Sequence, residues 1–275
     1  MGSSFIITLR EGLEASLIIT ILLTYLRKTD RQADSRSVWL GTGLATLVCL
    51  VTGSLIYVFI DGLHGKVEQA VEGSIAVAAV GVLTYMIFWM RTNARSLGAH
   101  LRGKVDRATS AALFTIAFVA VVREGLETVL FLLGAETSTA SGMSVVIGGL
   151  IGLAAAIAIG ALIYKGGSRL NLKTFFNVTA VLLLLFAAGL AGKAVHELRE
   201  LIGWESGWLI SPAWTIETGV LAKGTVYDFL KGLFGWHSSP ERIRVMAYLA
   251  YLIPIMVLYR RKVVELAPEV VVTKA

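Results

Sequence analysis

The pentapeptide Arg10-Glu11-Gly12-Leu13-Glu14 lies inside an apolar run and returns letter for letter as Arg123-Glu124-Gly125-Leu126-Glu127. Six ionisable side chains therefore interrupt segments that otherwise read as lipid-soluble helix, Phe5 to Tyr25 around the first copy and Ala111 to Leu133 around the second. A charged residue at the centre of a membrane helix costs roughly 2.5–3.5 kcal/mol on insertion scales, so six left facing lipid would cost on the order of 15 kcal/mol. The fold must offset that cost. Residues three and four apart share a helix face, so Arg10, Glu11 and Glu14 can point one way while Leu13 turns aside, and the second copy repeats the arrangement. The central glycine lets another helix or an ion approach the backbone. Two such motifs facing each other present four carboxylates and two guanidinium groups, a net charge near minus two that a bare divalent cation would neutralise.

The chain of 275 residues is 56% hydrophobic, with a mean hydropathy of +0.73. That balance places it among all-α integral membrane proteins rather than soluble domains. The formal net charge of +6 is not a nucleic-acid signal, because the basic residues fall mostly in short connections between apolar runs, where they set topology. One cysteine, Cys49, sits in an apolar run, so no disulfide framework, cysteine metal site or iron–sulfur cluster can form within one chain. The N-terminus lacks a basic region before its first apolar run, which argues for a retained helix rather than a cleaved signal peptide.

Seven stretches reach the roughly 20 apolar residues that a membrane span needs: about 3–26, 38–60, 70–90, 110–133, 144–164, 174–196 and 245–260. The connections holding Arg27, Lys28, Arg31 and Arg36, then Arg91, Arg95, Arg102, Lys104 and Arg107, then Lys165, Arg169 and Lys173, are basic, as is Arg260-Arg261-Lys262 after the last span. The alternate connections are poor in basic residues, which predicts a multi-pass topology with the N-terminus outside and the C-terminus inside. The long connection 197–244 then lies outside. Its Trp204, Trp208 and Trp214 suit an interfacial belt, and Val220 to Phe234 has the spacing of an amphipathic helix along the surface.

This topology makes helix one run inward and helix four outward. It predicts two inverted three-helix repeats, about 3–90 and about 110–196, followed by the outer loop and a C-terminal helix, within one permease domain over 1–275. In secondary transporters built this way the substrate site lies where the repeats meet. At 1.5 Å per residue, Glu11 and Glu14 fall about 12–17 Å from the outer start of helix one, and Glu124 and Glu127 about 10–15 Å from the outer end of helix four, so all four can share one level. Gly148, Gly152, Ala156 and Gly160 on helix five, and Ala188 with Gly192 on helix six, read as close helix contacts.

Two copies of Arg-Glu-Gly-Leu-Glu in helices one and four of seven resemble the oxidase-dependent iron transporter family, which includes the bacterial ferrous iron permease and the fungal high-affinity iron permeases. The likeness extends to Val71-Glu72-Gly73, Phe88-Trp89-Met90-Arg91, Arg169-Leu170-Asn171-Leu172, Ala187-Ala188-Gly189-Leu190-Ala191 and Gly232-Leu233-Phe234-Gly235. It implies iron uptake across the cytoplasmic (inner) membrane, with the motif glutamates carrying the ion and an extracytoplasmic oxidase or iron-delivery partner outside. The short acidic outer-loop motif of the fungal members has no matching string here.

Glu11, Glu14, Glu124 and Glu127 are accordingly the expected metal ligands, weak oxygen donors that a passing cation can leave. Arg10 and Arg123 are supporting residues that hold the carboxylates ionised and oriented. Glu72 is a further metal candidate near the outer start of helix three. Asp61 and His64, in the adjoining turn, could add to an outer vestibule, and Glu68 reads as a helix-start acid. His196-Glu197-Leu198-Arg199-Glu200 approaches a zinc-protease helix but has Glu200 where the second histidine would be, and no histidine pair suits haem. The expected protein is thus an iron permease and not an enzyme, with no permanently bound cofactor, iron as transported substrate, and no nucleic-acid partner. Carriage of another divalent metal such as manganese or lead is the alternative, and a membrane metalloenzyme subunit a weaker one.

Overall fold

The computed structural model describes the backbone of residues 2–105, 109–136, 142–165 and 172–265. Among these there are eight helices and no strand: α1 (Gly2–Lys28), α2 (Ser35–Asp61), α3 (Lys66–Val105), α4 (Ser110–Glu136), α5 (Gly142–Tyr164), α6 (Leu172–Ile202), α7 (Thr225–Phe234) and α8 (Arg242–Glu265). Of the basic topology residues, Arg107 and Arg169 lie outside the described residues, as do Leu170 and Asn171 and the side chains of Asp61, Arg91, Arg95, Arg102, Lys104, Lys173 and Lys262.

Among the described residues, five helical stretches are long and apolar enough to cross a membrane: Gln32–Ile60, Lys66–Met90, Met143–Tyr164, Thr174–Ile202 and Arg242–Arg261. Helices α1 and α4, each of 27 residues, extend about 40 Å at 1.5 Å per residue, but each carries an Arg and two Glu in its interior. Those charges alone set them apart from the apolar spans.

The helices pair in a pattern: α1 packs on α5, α2 on α4, α1 on α4, and α3 on α6, with α8 against α6. Small residues make the first two pairings close. A methyl group added at Gly12 would stand 2.8 Å from Ala156 Cβ on α5, and one at Gly125 would overlap Cys49 Sγ on α2. One turn along, Gly160 faces Ser16 and Gly53 faces Val129. One core cluster forms among α1, α3, α4, α6 and α8 around Ile7, Met86, Phe131 and Phe186; a second joins α1, α2 and α4 around Leu22, Val38 and Leu113.

Two elements depart from the sequence reading. Helix α3 continues past its apolar part to Val105, because the stretch after Met90 is polar but contains no proline, so the chain changes solvent without leaving the helix. The expected amphipathic helix over Val220–Phe234 is shorter, because Gly224 takes a φ of 95° at its N-cap and Gly235 a φ of 67° at its C-cap, left-handed conformations that stop a helix. This helix is also more than a surface element: Phe229 covers Gly2 at the start of α1, and Gly235 meets Gly189 of α6 backbone to backbone.

Candidate metal passage

The two pentapeptides face each other where α1 crosses α4. One carboxylate oxygen from each of Glu11, Glu14 and Glu124 lies within 4.8 Å of the others, and all three side chains are buried. Oxygen ligands of a small divalent ion stand about 2.0–2.2 Å from it, so two that share an ion are at most about 4.4 Å apart. Small side-chain adjustments would bring the cluster to that spacing.

Each motif is braced by its own arginine. Arg10 donates to Glu11 Oε1 at 3.1 Å and lies 3.1 Å from Glu14 Oε1, while Arg123 donates from Nε to Glu127 Oε1 at 3.1 Å and stands 3.9 Å from Glu124 Oε1. Helix α3 supports both guanidinium groups from the side: Met86 Sδ lies 3.4 Å from Arg10 Nη1, and the Trp89 ring lies 4.8 Å beneath Arg123. The bracing leaves acceptors over. Glu11 Oε2, Glu124 Oε2 and Glu127 Oε2 are buried with no hydrogen-bond partner within the protein, and Glu14 Oε1, although close to Arg10, lies off its hydrogen-bonding directions. Buried carboxylate oxygens of this kind carry the full cost of desolvation unless a cation, a proton or a water molecule meets them. The donor set is all oxygen, which suits hard and borderline divalent ions and excludes thiolate or imidazole capture.

The family model for the iron permease FTR1 family matches residues 1–265. The chain belongs to that family. Among curated relatives, the ferrous iron permease EfeU of Yersinia pestis is 38% identical over 261 residues, spanning 93% of this chain and 92% of its own. The proteins of the same description from Yersinia pseudotuberculosis, at 38% identity and 90% of its length, and Shigella sonnei, at 37% and 94%, match over the same share of this chain. No solved structure matches. The family and these relatives are permeases, not enzymes.

Glu127, the fourth expected ligand, is not among the three converging acids, its Oε1 accepting from Arg123, and the remaining candidates lie elsewhere. Glu72 is not part of the converging group; its Oε2 accepts from Lys193 Nζ at 2.6 Å, and the same ammonium is 3.8 Å from Glu197. His196, one turn short of a second histidine, stands between Glu200 at 3.4 Å and Glu241 at 3.2 Å, and Arg199 pairs with the same two acids. His64 is exposed, its ring against the Gly62 carbonyl. Lys193 is the functional-looking residue that sequence reasoning passed over. A lone lysine four residues before Glu197 in an otherwise apolar stretch was the available signal, since that spacing places the two on one helix face.

Proposed function

We propose that the chain carries iron into the cytoplasm across the cytoplasmic membrane, as Fe(II) by analogy with the ferrous iron permeases it is similar to, through a passage lined by Glu11, Glu14, Glu124 and Glu127. The observation that carries this reading is the convergence of buried carboxylates Glu11, Glu14 and Glu124 from two helices, with an oxygen on each of the four acids lacking a hydrogen-bond partner among the described residues. A cation arriving from water exchanges part of its hydration shell for these oxygens, and the two arginines keep the site's net charge low enough for the ion to leave again. Arg10 and Arg123 orient the acids rather than bind the ion, being permanently cationic.

Seven spans belong to this reading: the five apolar helices together with α1 and α4, whose charges turn inward onto each other. The pairings α1 on α5 and α4 on α2, and the matched contacts Gly12–Ala156 with Gly125–Cys49 and Gly160–Ser16 with Gly53–Val129, are what a two-fold relation between α1–α3 and α4–α6 would produce. They support inverted repeats with the site at their interface. The N-terminus would then lie outside and the C-terminus inside, with an extracytoplasmic oxidase or iron-delivery partner at the outer loop. Glu72 has a separate place as a receiving carboxylate from which an incoming cation displaces the Lys193 ammonium.

Uptake of radioactive iron into proteoliposomes tests the reading. Glu14→Gln and Glu124→Gln should each abolish uptake while the protein inserts normally, whereas Leu126→Ala, on the exposed side of the same motif, should transport at close to the normal rate. Normal uptake by either glutamine variant overturns the passage. An all-oxygen site also fits manganese, so competition with a metal panel decides the cargo: manganese or lead transported in preference to iron would replace iron in this proposal.

A further inference from the structure

A cavity of about 300 Å³ lies between α6, α8 and the chain after α7, at the lower end of the size range of small-molecule sites. Its floor is made by two glycines of α6. Gly189 admits the backbone of Gly235, and Gly192 admits the stem of Arg244, whose Cγ would lie 3.1 Å from a methyl group added there. Trp214 and Trp236 form one wall with their rings stacked 5.5 Å apart. Both indole N–H groups are already used, Trp214 on the His237 carbonyl and Trp236 on the Leu221 carbonyl, so the wall offers apolar ring surface.

The polar lining is cationic and has donors to spare. Among the described residues, the Arg244 side chain has no carboxylate within ion-pair distance and no hydrogen bond, unlike its neighbours Arg199 and Arg242. The Tyr248 hydroxyl, one turn further along α8, is likewise without a hydrogen bond to the described residues. His237 donates from Nδ1 to the Gly235 carbonyl at 3.0 Å. Burial and the adjacent Arg244 push its pKa down to about 4, so it is neutral at physiological pH. The other charged groups facing this corner are Glu241, Glu197, Lys193 and Lys231, none of them within ion-pair distance of Arg244.

The cavity's position decides what can reach it. Leu249 belongs both to its lining and to the exposed stripe Met246, Leu249, Ile253 and Val257 along α8, so the cavity opens onto the flank of a helix that packs chiefly on α6 alone. Arg244 and Arg260 are sixteen residues apart on α8, about 24 Å at 1.5 Å per residue. With Arg260 at one interface, Arg244 stands near the opposite edge of a hydrocarbon layer about 30 Å thick. At that depth the anionic group in reach of a laterally open site is a lipid phosphate.

We propose that this cavity binds the headgroup of one anionic phospholipid, its phosphodiester held by the Arg244 guanidinium and the Tyr248 hydroxyl and its acyl chain lying along Met246, Leu249 and Ile253. A guanidinium pairs with phosphate oxygens in bidentate fashion, and the tryptophan wall supplies the interfacial apolar contact of the glycerol region. Nothing in this proposal depends on the identity of the transported ion.

Tryptophan quenching by brominated phosphatidylglycerol in nanodiscs of the full chain tests it, with brominated phosphatidylcholine as the comparison lipid. The expected result is saturable quenching by phosphatidylglycerol at about one lipid per chain, weakened roughly fivefold or more in Arg244→Gln and less in Arg244→Lys. Equal quenching by the two lipids, or an unchanged Arg244→Gln, overturns the proposal. Displacement of phosphatidylglycerol by millimolar inorganic phosphate would also overturn it, because the cavity would then hold a free anion. Should Arg244→Gln fail to fold, the lipid extracted from the unaltered protein decides: phosphatidylglycerol enriched over the bulk membrane supports the site, and no enrichment ends it. These measurements read lipid and not iron, so their failure leaves the permease reading standing.

Discussion

The two copies of one pentapeptide are in different surroundings. Arg10 is 2% exposed and holds both of its glutamates, whereas Arg123 has a side chain 40% exposed and leans on the Trp89 ring as well as on Glu127. Glu11 is fully covered, while Glu127 keeps 14% of its side-chain surface. Identical letters thus give a fully enclosed arginine on α1 and a partly uncovered arginine and Glu127 on α4, while Glu14 and Glu124 are equally buried. In the proposed passage the first arginine would anchor the geometry and the second would leave Glu127 freer to meet the ion.

Removing the anchors tests the asymmetry most strongly. Arg10→Gln leaves Glu11 and Glu14 buried without their counter-ion, which should destabilise the protein by about 3–5 kcal/mol, the usual result of breaking a buried pair, and abolish uptake. Arg123→Gln, at a side chain that the protein only partly encloses, should cost less than Arg10→Gln and slow uptake without ending it. Detergent-solubilised melting curves and iron uptake on both variants measure this. Equal losses would mean that the two half-sites are equivalent and the contrast is wrong.

Next in size is the effect of filling the central glycines. A methyl group at Gly125 would overlap Cys49 Sγ, whereas one at Gly12 would meet Ala156 Cβ at 2.8 Å, yet the closer approach should be the more forgiving one. A thiol can rotate away; a β-carbon moves only with its helix. Gly12→Ala should therefore cost about 1–3 kcal/mol and Gly125→Ala less, with Ala156→Gly restoring the first and Cys49→Ala part of the second. A larger loss at Gly125 would show that α2 is the more rigid neighbour.

The Lys193–Glu72 pair extends the comparison to a third cation–carboxylate group, one whose acids already have a partner. If Glu72 receives the ion ahead of the passage, Glu72→Gln should raise the iron concentration needed for half-maximal uptake a few-fold and leave the maximal rate intact. Loss of the maximal rate would instead place Glu72 among the passage ligands.

Much of the architecture could be read from the letters because its signals are local. Apolar runs of membrane length, small residues at every fourth position on α5 and a charged pentapeptide repeated inside such runs each state their own requirement. Where α3 would end was less legible, since the polar residues after Met90 mark the edge of the lipid but not the end of the helix. The contrast between Arg10 and Arg123 was not legible at all. It is set by Met86, Trp89 and the packing of distant helices, none of which alters the motif. Lys193 was overlooked because its meaning depends on Glu72, more than a hundred residues away.

The mildest effect belongs to the segment between α7 and α8, where His237 stands in contrast to the motif acids by being buried without an opposite charge. Its folded pKa of about 4 lies below the ordinary value of 6.5 because burial and Arg244 both disfavour the imidazolium. Between those two values the unfolded chain binds the proton and the folded chain does not, so the unfolded state gains as the medium is acidified. The stability associated with His237 is fully present above pH 6.5, declines as the pH falls toward 4, and declines no further below it. His237→Gln, which keeps a donor for the Gly235 carbonyl but cannot be protonated, should flatten the melting temperature across pH 6.5 to 4 relative to the unaltered protein. An unchanged pH profile would mean that the acid sensitivity arises in the membrane carboxylates or the Lys193 cluster, and that the segment around His237 tolerates the charge.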